Sequence, residues 1–112
     1  MAADRMRRVN EAVREVLSAR IAGGLNDPRI GFVTVTSVET SPDLRQARVY
    51  VSVLGDESER ADTLAGLASA HGLLQKSIAA ELRMKRTPTL EFFFDASIDR
   101  GMRITELLED EQ

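Results

Sequence analysis

Four bases, Lys76, Arg83, Lys85 and Arg86, follow a tetrapeptide, Ser69-Ala70-His71-Gly72, that interrupts an otherwise helical stretch from about Ser58 to Met84. The chemistry open to such a set is electrostatic contact with an anionic polymer rather than bond making. A helix restarting after Gly72 leaves the N–H groups of Leu73, Leu74 and Gln75 without intrahelical acceptors, and the helix dipole favours a phosphate oxygen there. Lys76 follows one turn later, and only Glu81 interrupts the bases, so contact with an RNA backbone is expected from this half of the helix. His71 is the sole histidine. It has no metal-binding companion and no nucleophile to serve, which makes it an exposed residue at a bend, with stacking on a base as the sharper alternative.

Catalytic constellations are missing from the pattern. Glu91 and Asp95 lie four apart in a strand-like run and share one face, but neither a histidine nor a cysteine accompanies them and there is no phosphate-loop glycine motif. No enzyme activity, cofactor or metal is expected. The net charge of −3 argues against a nucleic-acid binder until its distribution is counted. Residues 73–89 hold four bases against Glu81, whereas residues 90–112 hold two arginines against seven acids. Positive charge also collects on the first element, where Arg7, Arg8 and Arg14 are candidates for the same surface. Arg7 with Glu11 and Glu11 with Arg14 are, however, spaced for ordinary surface pairs. Arg45, beside the strand hairpin, extends the basic surface, and Arg48 falls on the hairpin's outward face.

These side chains need a scaffold of about one domain, which 112 residues with 43% hydrophobic content can build. Met6, Val9, Val13, Val16, Leu17 and Ile21 recur at helical spacing and end at Gly23-Gly24. After the Asn26-Asp27-Pro28 turn, Phe32 to Val38 is dense in strand formers, though its inward face is ambiguous by pattern. Ser41-Pro42-Asp43 turns the chain, and Ala47, Val49, Val51 and Val53 then alternate with Arg48, Tyr50 and Ser52. Ser58 is the expected N-cap of a helix containing Ala61, Leu64, Leu67 and Ala68. Beyond the break, Leu74, Ile78 and Leu82 face the core until Thr87-Pro88 ends the helix. Leu90, Phe92 and Phe94 alternate with Glu91, Phe93 and Asp95, a strand expected to anchor the core. Phe93 points outward, either toward a base or under the C-terminal segment, the second being expected. Arg100 to Leu108 forms a last short helical stretch before an acidic tail at 109–112.

Two antiparallel strands followed by a long crossover require a third strand parallel to one of them, which gives an α+β two-layer domain. In detail, Asp27-Pro28-Arg29-Ile30-Gly31, Ser41-Pro42-Asp43-Leu44, Ala47 to Val53, and Thr87-Pro88 with Leu90, Phe92, Asp95, Gly101, Met102, Arg103 and Ile104 resemble the ribosome-binding factor A family from about Met6 to Leu108. That resemblance implies a single type II KH-like domain over residues 1–108, ordered α-β-β-α-(kink)-α-β. Its three-stranded mixed sheet would carry helices on one face. It also implies a non-catalytic assembly factor that binds free small (30S) ribosomal subunits, contacts 16S rRNA and assists its late maturation and processing. Ribosomal proteins or other assembly factors would be further partners. In this family an Ala-x-Gly kink, here Ala70-His71-Gly72, replaces the Gly-x-x-Gly loop of ordinary KH domains. Ser69 stands at the first glycine position of that loop, where its Cβ restricts the approach of a nucleic-acid backbone.

No run of 18 apolar residues and no secretory leader is present, so a cytoplasmic monomer is the expectation. The rival reading is an acidic protein–protein adaptor of the same fold that does not touch RNA.

Overall fold

The structure, a computed structural model, describes residues 2–95. The expected helical stretch Arg100–Leu108 and the tail lie outside the described residues. Six elements follow in the predicted order: α1 (Ala2–Ala22), β1 (Val33–Thr40), β2 (Gln46–Val53), α2 (Glu57–Ser69), α3 (His71–Leu82) and β3 (Thr89–Phe94). The sheet has the order β1-β2-β3, with β1 antiparallel and β3 parallel to the central strand. The fold is therefore α+β with a mixed open sheet. None of the described helices is long and apolar enough to cross a membrane.

Helix α1 forms because its apolar residues fall on one stripe; Val13 and Leu17 are fully buried against the sheet. Gly24, at φ +94°, takes the left-handed conformation that ends the helix, while Gly23 N–H donates to the Ala19 carbonyl at 3.0 Å. In β2 the alternation holds: Ala47, Val49, Val51 and Val53 are buried. In β1 the ambiguity of the sequence has a cause. A bulge between Val35 and Ser37 shifts the register, so the buried residues are Val35, Val38 and Thr40, with a step of three at the bulge and of two beyond it. Thr36 Oγ1 donates to the Tyr50 carbonyl at 3.1 Å across the bulge.

Two expectations are corrected, the cap of α2 and the anchoring role of β3. The N-cap of α2 is Asp56, not Ser58: Glu59 N–H donates to Asp56 Oδ1 at 2.8 Å and the Glu59 carboxylate reaches back to the Asp56 N–H, a reciprocal capping box. The buried face of α2 is Thr63, Gly66 and Leu67, with Ala61 and Ala68 exposed. Finally, β3 does not anchor the core. Only Leu90 is buried there, Phe92 is partly so, and the fully buried centre is Val13, Leu17, Val49, Val51, Leu67, Leu74 and Ile78.

Candidate nucleic-acid interface

At the break, α2 ends at Ser69 and α3 begins at His71, with Ala70 between them as the shared cap at φ −86°, ψ 3°. Ala70 N–H donates back to the Gly66 carbonyl at 3.0 Å, while its own carbonyl accepts from Leu74 N–H at 3.0 Å. Leu74 is thus satisfied, and the amides at the start of α3 are those of His71, Gly72 and Leu73, two residues earlier than the sequence suggests. His71 is exposed and its Nδ1–H donates to the Ala68 carbonyl at 2.8 Å, so the imidazole caps the end of α2 and turns Nε2 outward.

The two glycines flanking the break differ in kind. A Cβ on Gly66 would lie 2.6 Å from Ile30 Cγ1, so that glycine is required by packing inside the molecule. A Cβ on Gly72 would meet nothing within 4 Å, and Gly72 has an ordinary helical backbone. Nothing inside the described fold asks for glycine at position 72.

The loop between α1 and β1 is strapped to the end of α2. Thr63 Oγ1 donates to the Arg29 carbonyl and accepts from Gly31 N–H, each at 3.3 Å. Asp27 takes the Arg29 guanidinium in a fork, with Nε at 3.0 Å from Oδ1 and Nη2 at 2.6 Å from Oδ2, and also accepts the Arg29 N–H at 2.9 Å. These bonds from Arg29 lower the Asp27 carboxyl from its ordinary 3.8 to about 2. Arg29 Nη2 then reaches Ser69 Oγ at 3.0 Å, one residue before the break. This connection spans forty positions. Sequence reasoning missed it, because Asp-Pro-Arg reads locally as nothing more than a turn.

The predicted basic face does not form as one stripe. Lys76 is exposed on α3, but the helix stops at Leu82, and Arg83 takes the left-handed conformation at φ 51°, ψ 41°. Lys85 and Arg86 belong to the turn that follows, which Gln75 holds by donating from Nε2 to the Pro88 carbonyl at 2.9 Å. Thr89 N–H donates to the Arg45 carbonyl at 2.8 Å, placing Arg45 beside this turn where β2 and β3 begin. The break lies toward the other end, where β1 starts, because Arg29 and Ile30 precede Val33 and pack on α2. A 12-residue α3 separates the two by about 18 Å. One end thus carries the kink, with Ala70, His71 and Gly72; the other carries Arg45, Arg83, Lys85 and Arg86; Lys76 sits between them.

On α1, Arg14 is paired with Glu11, whose carboxyl is lowered chiefly by the hydrogen bond from Arg14. Arg7 lies 3.6 Å from Asp4 rather than pairing with Glu11. Arg8 is exposed and forms no ion pair among the described residues. Arg7 and Arg14 line a groove against β1 with Asn10 and Ser37, away from the α3 bases.

The sheet's uncovered face is different again. Glu39, Arg48 and Glu91 form one cross-strand row, acid-base-acid, and the next row brings Tyr50 against Phe93 with ring centroids 5.9 Å apart. Phe93 keeps 39% of its surface exposed. These residues rim a shallow depression of about 570 Å³ whose charge does not favour phosphate. Glu91 thus lies beside a base on an open face, with no histidine near it in the register. Among the described residues no group of three or more histidine or carboxylate side chains is placed to hold a metal ion.

A family model described as ribosome-binding factor A matches residues 5–108. Ribosome-binding factor A of Anaeromyxobacter dehalogenans strain 2CP-C is 53% identical over 108 residues, covering 96% of this chain and 78% of its own. That of Geobacter sulfurreducens is 46% identical over 107 residues, covering 96% and 91%. Among solved structures, the crystal structure of ribosome-binding factor A from Thermus thermophilus superposes with a TM-score of 0.69 at 31% identity, covering 79% of this chain and 93% of that one. A homology model of the Thermus thermophilus factor, fitted into a cryo-electron microscopy map of a 30S complex, gives 0.62 at 32% identity, with 76% and 89% covered.

Proposed function

Since the chain belongs to the ribosome-binding factor A family, we propose that it binds free small (30S) ribosomal subunits in the cytoplasm and assists late maturation and processing of 16S rRNA. It does so by holding RNA non-catalytically. The observation that carries RNA contact is Gly72. Glycine in a helix costs about 0.5–1 kcal/mol relative to alanine, and nothing within the described fold offsets it. Close approach of an external backbone to the first turn of α3 supplies a reason, and a phosphate suits the amide donors and dipole there.

Lys76 then continues the contact along α3 toward Arg83, Lys85, Arg86 and Arg45. Such contacts fix position and carry little sequence information, so specificity comes from the shape of the ribosomal site. Arg7, Arg8 and Arg14 form a secondary part of the surface at most, two of them already having acidic neighbours. By binding one conformation of immature RNA more tightly than others, the domain biases the folding equilibrium toward it.

The test is co-sedimentation with free small subunits across a salt series, comparing the protein with a variant in which Lys76, Arg83, Lys85 and Arg86 are changed to Glu. Loss of four phosphate contacts should weaken binding by about 100-fold or more and flatten the salt dependence, each contact contributing a slope of about 0.7–0.9. Unchanged binding would overturn RNA contact through these residues. It would favour the adaptor reading, for which the acid-rich start of α2, Asp56, Glu57, Glu59 and Asp62, is the supporting feature.

A further inference from the structure

We infer that Arg29 is a positioning residue for the break between α2 and α3, setting the aim of the α3 amides through Ser69 while making no contact with RNA itself. The inference rests on the proposed use of the break in binding RNA. Ser69 is the last residue of α2, and among the described residues the side-chain bond it receives from another element comes from Arg29 Nη2, at 3.0 Å. Arg29 is in turn oriented by the Asp27 fork and by its own backbone, since its N–H goes to Asp27 and its carbonyl to Thr63.

Arg29 thus has four points of reference, and its planar guanidinium fork is an arrangement that lysine cannot reproduce. Charge placement follows from it. The last turn of α2 contains no base of its own, so Arg29 supplies the cation that complements the negative end of α2. That end abuts the start of α3, and leaving it bare would oppose an anion at His71, Gly72 and Leu73. Asp27 sits one turn back beside Gly66, which keeps its carboxylate on the far side of the pair from the break.

The experiment uses the full chain with three variants, S69A, R29M and the charge-balanced D27N/R29M. Affinity for free small subunits is measured over a salt series, together with amide hydrogen exchange in the unbound protein at Ala70 and Leu74, whose N–H groups are bonded across the break. All three variants should exchange faster at those amides. R29M and D27N/R29M should each bind about tenfold more weakly at a temperature where both are fully folded, with the slope against salt unchanged. S69A should move in the same direction by less.

Restored affinity in D27N/R29M would mean that only net charge matters, and would overturn the inference. So would a slope reduced by about 0.7, the signature of a phosphate contact made by Arg29 itself. Unaltered exchange in S69A and the arginine variants would overturn it too, whatever the affinities. If the unsubstituted protein fails to bind subunits, the RNA reading falls, while the exchange data still decide whether Arg29 sets the break.

Discussion

Gly66 and Gly72 lie six residues apart on either side of one bend, yet their surroundings are opposite. Gly66 is buried under Ile30, where an added methyl would sit 2.6 Å from a side-chain carbon, and Gly72 faces space that no described atom fills. The last turn of α2 is thus explained from inside the molecule, whereas no described contact explains the glycine in the first turn of α3, for which the proposed RNA contact would account. A glycine that packing requires and one that it does not look the same in a sequence; the volume around the absent Cβ separates them.

The comparison is most easily broken at Gly66. Ile30 is β-branched and stiff, so G66A should force the 27–31 loop away from α2 and destabilise the protein by about 1–3 kcal/mol, read from urea unfolding. An unchanged midpoint would mean that the loop gives way at no cost, and the two glycines would no longer differ. G72A should move the other way. The protein should gain about 0.5–1 kcal/mol in the same unfolding experiment while losing affinity for small subunits. A variant that is both more stable and fully able to bind would leave Gly72 without a function.

The smallest effect concerns acid. Asp27 has a carboxyl depressed to about 2 by Arg29, so its contribution is complete above its unfolded value near 3.8 and disappears as the pH falls through about 2. Exchange at the Ala70 and Leu74 amides should therefore accelerate in D27N at neutral pH, whereas the unsubstituted protein should keep its protection to below pH 4.

Much of the scaffold is legible in the sequence. The apolar stripe of α1, the alternation of β2, the bend itself and the parallel third strand all follow from periodicity and connection length. The rest depends on conformations that leave no periodic trace. The bulge at Thr36 changes the phase of β1, so no single alternation assigns its inner face. Arg83 in a left-handed conformation stops α3 at Leu82, so Lys76 and Arg83, which a seven-residue spacing would place on one helical face, do not share one, and Lys85 and Arg86 fall in the turn beyond. Asp56 and Glu59 carry the spacing of a capping box, but Ser58 is an equally good cap by residue type, and the extended backbone at Asp56 decides between them. Arg29 on Ser69 is a tertiary contact with no local signature.

The meeting of α1 with the sheet has a further result. β1 is an edge strand, and an edge offers its outward N–H groups to any extended chain that comes near. Asn10 Oδ1 already accepts the Thr40 N–H at 2.8 Å, and the bulge at Thr36 breaks the straight row of donors four residues earlier. A strand trying to add there would find one donor occupied and the next out of line. The β1 margin is thereby guarded against edge-to-edge polymerisation, and the helix that covers the core also keeps the sheet from growing on that side.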